Sequence, residues 1–135
     1  MDPMTEKELV RRALVARDAA YAPYSGFRVG AALLAEDGRV FTGCNVENAS
    51  FGATICAERT AVAKGVSEGA RRFTAVAIAS YDDAPCVPCG ICRQTIYEFA
   101  AEGFRYLSVA ADGTFVRYGM DEILPHGFKG LDDRK

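Results

Sequence analysis

Three cysteines constrain this chain more than any other feature: Cys56, Cys89 and Cys92. Cys89 and Cys92 stand three apart at the start of a helical pattern, so they share one face and can chelate one ion. Cys56 opens a second helical run and offers a third thiol. A fold that uses all three has to bring two helix starts to one place. Helix N-termini favour negative charge, which lowers thiol pKa and makes thiolate ligands available near neutral pH. Three protein ligands with a fourth position left to water is the pattern of a catalytic zinc, whereas structural sites close with four.

The order of elements supplies the convergence. Thr5-x-x-Glu8 is a capping-box pattern for a first helix whose apolar stripe is Leu9, Val10, Ala13, Leu14 and Ala20, ending before Pro23. Residues 27–35 read as a central strand, apolar on both faces, and Glu36-Asp37-Gly38 turns it into a partner at 39–44. The polar loop 45–52 leads to Cys56, where a helix runs to about Lys64 and ends at Gly65 and Gly69. Residues 73–80 form a continuous apolar strand, Cys89 to about Ala101 a helix, and 106–110 with 114–118 a last strand pair around Asp112-Gly113. The sequence α-β-β-α-β-α-β-β makes an α/β sandwich on a mixed sheet. Each strand-helix-strand unit keeps its strands parallel, so both cysteine-bearing helices begin at the same end of the sheet.

Other readings of the thiols account for less. A redox C-x-x-C leaves Cys56 and Glu58 without a role. Cys86, Cys89 and Cys92 resemble the opening of a ferredoxin-type cysteine run, but Ile96 stands where the fourth cysteine belongs. A closed structural zinc would recruit Cys44 or Cys86 as fourth ligand, and remains the strongest competitor. Glu58 separates the cases. Two positions from Cys56 on a helix, it points away from that ligand's direction and can approach a bound water from the side, as a general base does. A glutamate in a first turn also serves the helix dipole alone. Arg59, next to it, would offset the surplus negative charge of three thiolates on Zn²⁺, or form an ordinary surface ion pair.

With 135 residues the chain suits one domain, spanning 1–135 with a frayed tail from about 129. Its net charge of −2 is spread without a basic face, which disfavours a nucleic-acid backbone as partner. The acidic N-terminal stretch does not fit a signal peptide and no apolar run approaches the ~18 residues of a membrane span. A cytoplasmic location with reduced thiols, no membrane and a small-molecule partner is the expectation.

The motifs also carry a resemblance. Cys56-Ala57-Glu58 followed by Pro88-Cys89-Gly90-Ile91-Cys92 matches the zinc nucleobase deaminase signature, with its non-ligand glutamate. The blocks at 23–33, 43–49, 56–61 and 88–94, and Leu124-Pro125-x-x-Phe128, resemble in order those of small cytidine deaminases of the three-cysteine, homotetrameric type. They cover nearly the whole chain.

That resemblance implies a three-layer α/β/α sandwich with a five-stranded mixed sheet in the order 2-1-3-4-5, the last two strands antiparallel. It implies hydrolysis of cytidine and 2′-deoxycytidine to the uridines and ammonia, with one Zn²⁺ per subunit on Cys56, Cys89 and Cys92. Glu58 would carry the proton from the attacking water. Asn45 and Glu47 would read the ribose hydroxyls, Phe27 would stack on the pyrimidine, and Ala57 would touch substrate. Phe128 would close a neighbouring subunit's site in a homotetramer, and Arg59, Arg93 and Gln94 would support the zinc ligands or an interface. By themselves Asn45 and Glu47 read as turn residues and Phe27 as core. Phe51 stands where relatives often carry tyrosine, Cys86 is an extra thiol read as packing, and His126 reads as a surface residue. Among rivals, a blasticidin-S-type deaminase lacks a reason for the Asn45/Glu47 pair. Polynucleotide deaminases typically place a helix where this chain has the Asp112-Gly113 turn. A non-catalytic zinc module requires four protein ligands.

Overall fold

The computed structural model describes residues 3–86 and 88–130. Its sheet has five strands in the order β2-β1-β3-β4-β5: β1 Gly30–Ala35, β2 Val40–Cys44, β3 Phe73–Ala79, β4 Ala100–Val109 and β5 Phe115–Gly119. Only β3 and β4 pair in parallel, and β4 pairs with β5 antiparallel. Among the described residues there are four α-helices: α1 Pro3–Ala16, α2 Ala57–Ser67, α3 Gly90–Phe99 and the single turn α4 Met120–Ile123. The expected strand order and the three layers are both present.

Strand periodicity divides the core. Phe73, Val76 and Ile78 of β3 face α2 and α3 with Leu33, Ile96 and Tyr106. The alternate positions Ala75, Ala77 and Ala79 face α1, where Leu9, Val10 and Ala13 cover them. Small residues on that side let α1 lie close. Glycine sharpens the fit at two strand positions. A Cβ on Gly30 would lie 2.2 Å from the Ala13 carbonyl, and one on Gly43 would lie 2.6 Å from the Ala57 carbonyl. Gly43 therefore lets the first turn of α2 rest directly on β2.

Several boundaries differ from the sequence expectation, each for a physical reason. α1 begins at Pro3, so Thr5 lies inside its first turn rather than capping it; proline is well suited to the first helical position. The strand expected from residue 27 begins at Gly30, because Asn45 takes the place of a ladder partner for 27–29. Its Oδ1 accepts from the Val29 N–H at 2.9 Å and its Nδ2 donates to the Phe27 carbonyl at 2.8 Å. α2 continues through Gly65, whose bare Cα the Phe41 and Phe73 rings approach. Gly69, at φ +98°, follows the helix end in the left-handed region. β4 starts at Ala100 rather than 106, crossing an irregularity between the Phe73↔Ala100 and Ala75↔Arg105 pairings. In the tail, Lys129 donates to the Ala100 carbonyl; residues 131–135 lie outside the described ones. Among the described residues, no helix is long and apolar enough to cross a membrane.

Candidate active site

β2 and β3 run in the same direction, and the chain leaving each turns back into a helix. Cys56 is the N-cap of α2, Cys89 the N-cap of α3, and Cys92 the third residue of α3. The three sulfurs lie within 4.8 Å of one another, with Cys56 and Cys89 at 3.8 Å and Cys89 and Cys92 at 3.3 Å. Tetrahedral zinc with Zn–S bonds of about 2.3 Å separates its sulfurs by roughly 3.8 Å. Electrostatics favour thiolate at Cys56. The Cys56 thiol is pushed down to about 5, first by its hydrogen bond with Cys92 and also by Arg59 and Cys89. Cys92 is pushed up in turn, chiefly by the same contact with Cys56.

Arg59 tests the donor set independently. Its Nη2 donates to the Thr54 carbonyl at 3.1 Å, while its Nε is buried without a hydrogen-bond partner among the described residues. The guanidinium faces the Cys56 and Cys92 sulfurs. A fixed cation there suits three thiolates on one divalent ion, which carry one negative charge in excess. Zinc fits these residues.

Glu58 lies beside the thiols and outside their cluster. It is 4% exposed, and burial pushes its carboxyl up to about 7, with the Cys56 charge adding to the rise. A carboxyl poised there can take and return a proton near neutral pH. Beneath it lies Tyr106 of β4, fully buried, which sequence reasoning missed. Its only cue is a phenol at an inward position of an apolar strand.

A cavity of about 310 Å³ opens against this centre, lined by Phe27, Asn45, Glu47, Cys56, Ala57 and Glu58, with Ser25, Cys86 and Cys89 among the rest. Seven site residues named from sequence, Cys89 included, thus meet around one space. Glu47 accepts from the Tyr24 N–H at 2.9 Å, the Ser25 N–H at 3.0 Å and the Ser25 hydroxyl. Ser25 was not foreseen either. Cys86 is a wall of the cavity, its thiol pushed up to about 12 by burial, which keeps it neutral.

Three expected residues stand elsewhere. Gln94 donates to the Phe128 carbonyl at 3.1 Å, and Arg93 donates to the Pro88 and Ile123 carbonyls. Phe128 is 62% exposed and does not line this cavity. A wider hollow of about 750 Å³ lies at the opposite end of the sheet. No cysteine or histidine is among its lining residues.

Setting a carboxylate beside a cysteine cluster, rather than within it, is the arrangement of zinc nucleobase deaminases, and that is the class this fold and site define. Residues 3–108 match the cytidine and deoxycytidylate deaminase zinc-binding region, and the chain belongs to that family. It is 43% identical over 129 residues to a cytidine deaminase of Sporosarcina psychrophila, covering 96% of this chain and 95% of that one. The crystal structure of a cytidine deaminase from Burkholderia pseudomallei superposes with TM-score 0.84 at 41% identity, covering 95% and 100% of the two chains. That of the Mycobacterium tuberculosis cytidine deaminase gives 0.79 at 38% identity, covering 91% and 96%.

Proposed function

We propose that this protein hydrolyses cytidine and 2′-deoxycytidine to uridine and 2′-deoxyuridine, releasing ammonia, in pyrimidine salvage in the cytoplasm. The buried Glu58 carboxyl beside three clustered thiols carries this reading. Cys56, Cys89 and Cys92 hold one zinc per chain, and Arg59 offsets their charge. That ion supplies a water of lowered pKa. Glu58 accepts the first proton of the attacking water and passes it to ring N3; it then takes the second proton, from the new C4 hydroxyl, and gives it to the departing amine. Water adds at C4, the C4–N bond breaks, and ammonia leaves, so one carboxyl serves as base and acid in turn.

Substrate contacts follow from the cavity. A carboxylate offers about four acceptor positions; three bonds to residues 24–25 leave Glu47 one for a ribose hydroxyl. Asn45 keeps one amide hydrogen beyond the bond to Phe27. Phe27 lies at the rim, where its ring can stack on a pyrimidine, and Ala57 backs the centre. Apolar rings also stay exposed around it, with Tyr24 edge-on to Phe51. The exposure of these rings and of Phe128 supports a homotetramer in which neighbouring copies cover them and share sites.

The direct test offers the zinc-loaded protein cytidine, deoxycytidine, cytosine, CMP, adenosine and blasticidin S, and measures ammonia. Turnover confined to the two pyrimidine nucleosides is expected; equal turnover of free cytosine or CMP contradicts the ribose contacts. Glu58→Gln should lose activity by more than about 10³-fold while retaining one zinc per chain, and the preparation should sediment as four chains.

A further inference from the structure

Tyr106 is the least explained polar group near the centre. It lies on β4 between Val76 of β3 and Tyr118 of β5, and its ring packs under α2 and α3 with Ile78, Cys86 and Ile96. Nothing of the side chain reaches solvent, and its hydroxyl has no hydrogen-bond partner of full geometry among the described residues. An unpaired buried hydroxyl carries a desolvation penalty that a phenylalanine here would not incur. Buried tyrosines ordinarily find a partner.

The titratable groups that act on that hydroxyl are the Glu58 carboxyl, the Cys86 and Cys92 thiols and the Arg93 guanidinium, the last a donor only. Cys86 is neutral and a weak acceptor, and Cys92 belongs to the metal-binding cluster. Glu58 alone is a strong acceptor, and it lies next to the hydroxyl. We infer that Tyr106 is a positioning residue, whose hydroxyl donates to the Glu58 carboxyl from the core side and keeps its other oxygen turned toward substrate. The inference rests on the reading of Glu58 as proton carrier. Burial and the nearby negative charges hold the phenol well above its ordinary pKa, so it remains a donor at every working pH.

Tyr106→Phe removes one oxygen and keeps the ring. The expected result is kcat lowered about tenfold, KM within twofold and zinc content unchanged. A kcat equal to the parent's overturns the inference. So does a fall in zinc content or a rise in KM accompanying the loss of rate, because the hydroxyl would then hold the site together rather than position Glu58. Glu58→Gln, assayed beside it, keeps the two readings apart. If Glu58→Gln remains active, the proton-carrier role itself fails. If it is inactive and Tyr106→Phe is not impaired, only the inference about Tyr106 fails.

Discussion

At Glu58 the needs of chemistry and stability oppose each other. Burying a carboxyl costs most when it is ionised, which is why its pKa rises to about 7. The unfolded chain gives up this proton near 4.5, the folded chain near 7. Folding stability is therefore intact below about 4.5, falls as pH rises between the two values, and is at its lowest above the second. Glu58→Gln removes that dependence. Its melting temperature should exceed the parent's at pH 8, and the difference should close near pH 4. A parallel offset at both values would show that the gain has another source.

Among the elements, α2 matters most to the site, and Gly43 decides where it rests. A Cβ there would lie 2.6 Å from both the Ala57 carbonyl and the Ala61 nitrogen. Both are backbone atoms of the helix, so neither can move without displacing Cys56 and Glu58. Gly43→Ala should cost about 1–3 kcal/mol of stability and also lower kcat and zinc occupancy. Gly30→Ala, which crowds α1 on the other face, should lose stability while the folded protein keeps its kcat. Urea unfolding and zinc content measured on both variants check the contrast. The same two positions show how far the sequence can be read. Strand parity and thiol spacing are local patterns, and from them the mixed sheet and the meeting of the thiols follow, while the sheet order is implied by the family resemblance. Gly65 reads as a helix stop because the rings of Phe41 and Phe73 that fill its space come from distant strands. Ala100 and Ala101 read as the last residues of a helix, yet β4 has already begun at Ala100 and resumes its ladder at Arg105. Contacts made only in three dimensions are absent from any window of sequence, and Tyr106 beneath Glu58 is another of them.

Over the whole molecule, an ion pair ties the N-terminal helix to the last strand of the sheet. Glu6, on α1, is 4% exposed and accepts two hydrogen bonds of 2.7 Å from Arg117 on β5. α1 packs mainly over β1 and β3, so this contact ties it across the sheet to the edge strand. In sequence Glu6 belongs to a polar N-terminal stretch, and only the fold gives it a partner 111 residues away. The Arg117 hydrogen bonds hold its carboxyl below the ordinary range, although burial works in the opposite direction. Fork geometry strengthens such a pair, while the half-exposed guanidinium weakens it by solvent screening. A net contribution of about 1–2 kcal/mol is reasonable for hydrogen bonds to a charged group that is partly screened. Because the folded pKa is depressed, this stability is fully present above the unfolded value near 4.5. It disappears as pH falls through the lower folded value. Glu6→Gln should therefore lower stability by about that amount at pH 7 and soften the acid limb of the stability profile, the two proteins converging at low pH. Urea midpoints at pH 7 and pH 4 measure both effects. Cytidine turnover at 25 °C should be unchanged, since neither Glu6 nor Arg117 lines the cavity. A variant with the parent's pH 7 midpoint would mean that the α1 contacts with Ala32, Ala75 and Ala77 hold the helix without the ion pair.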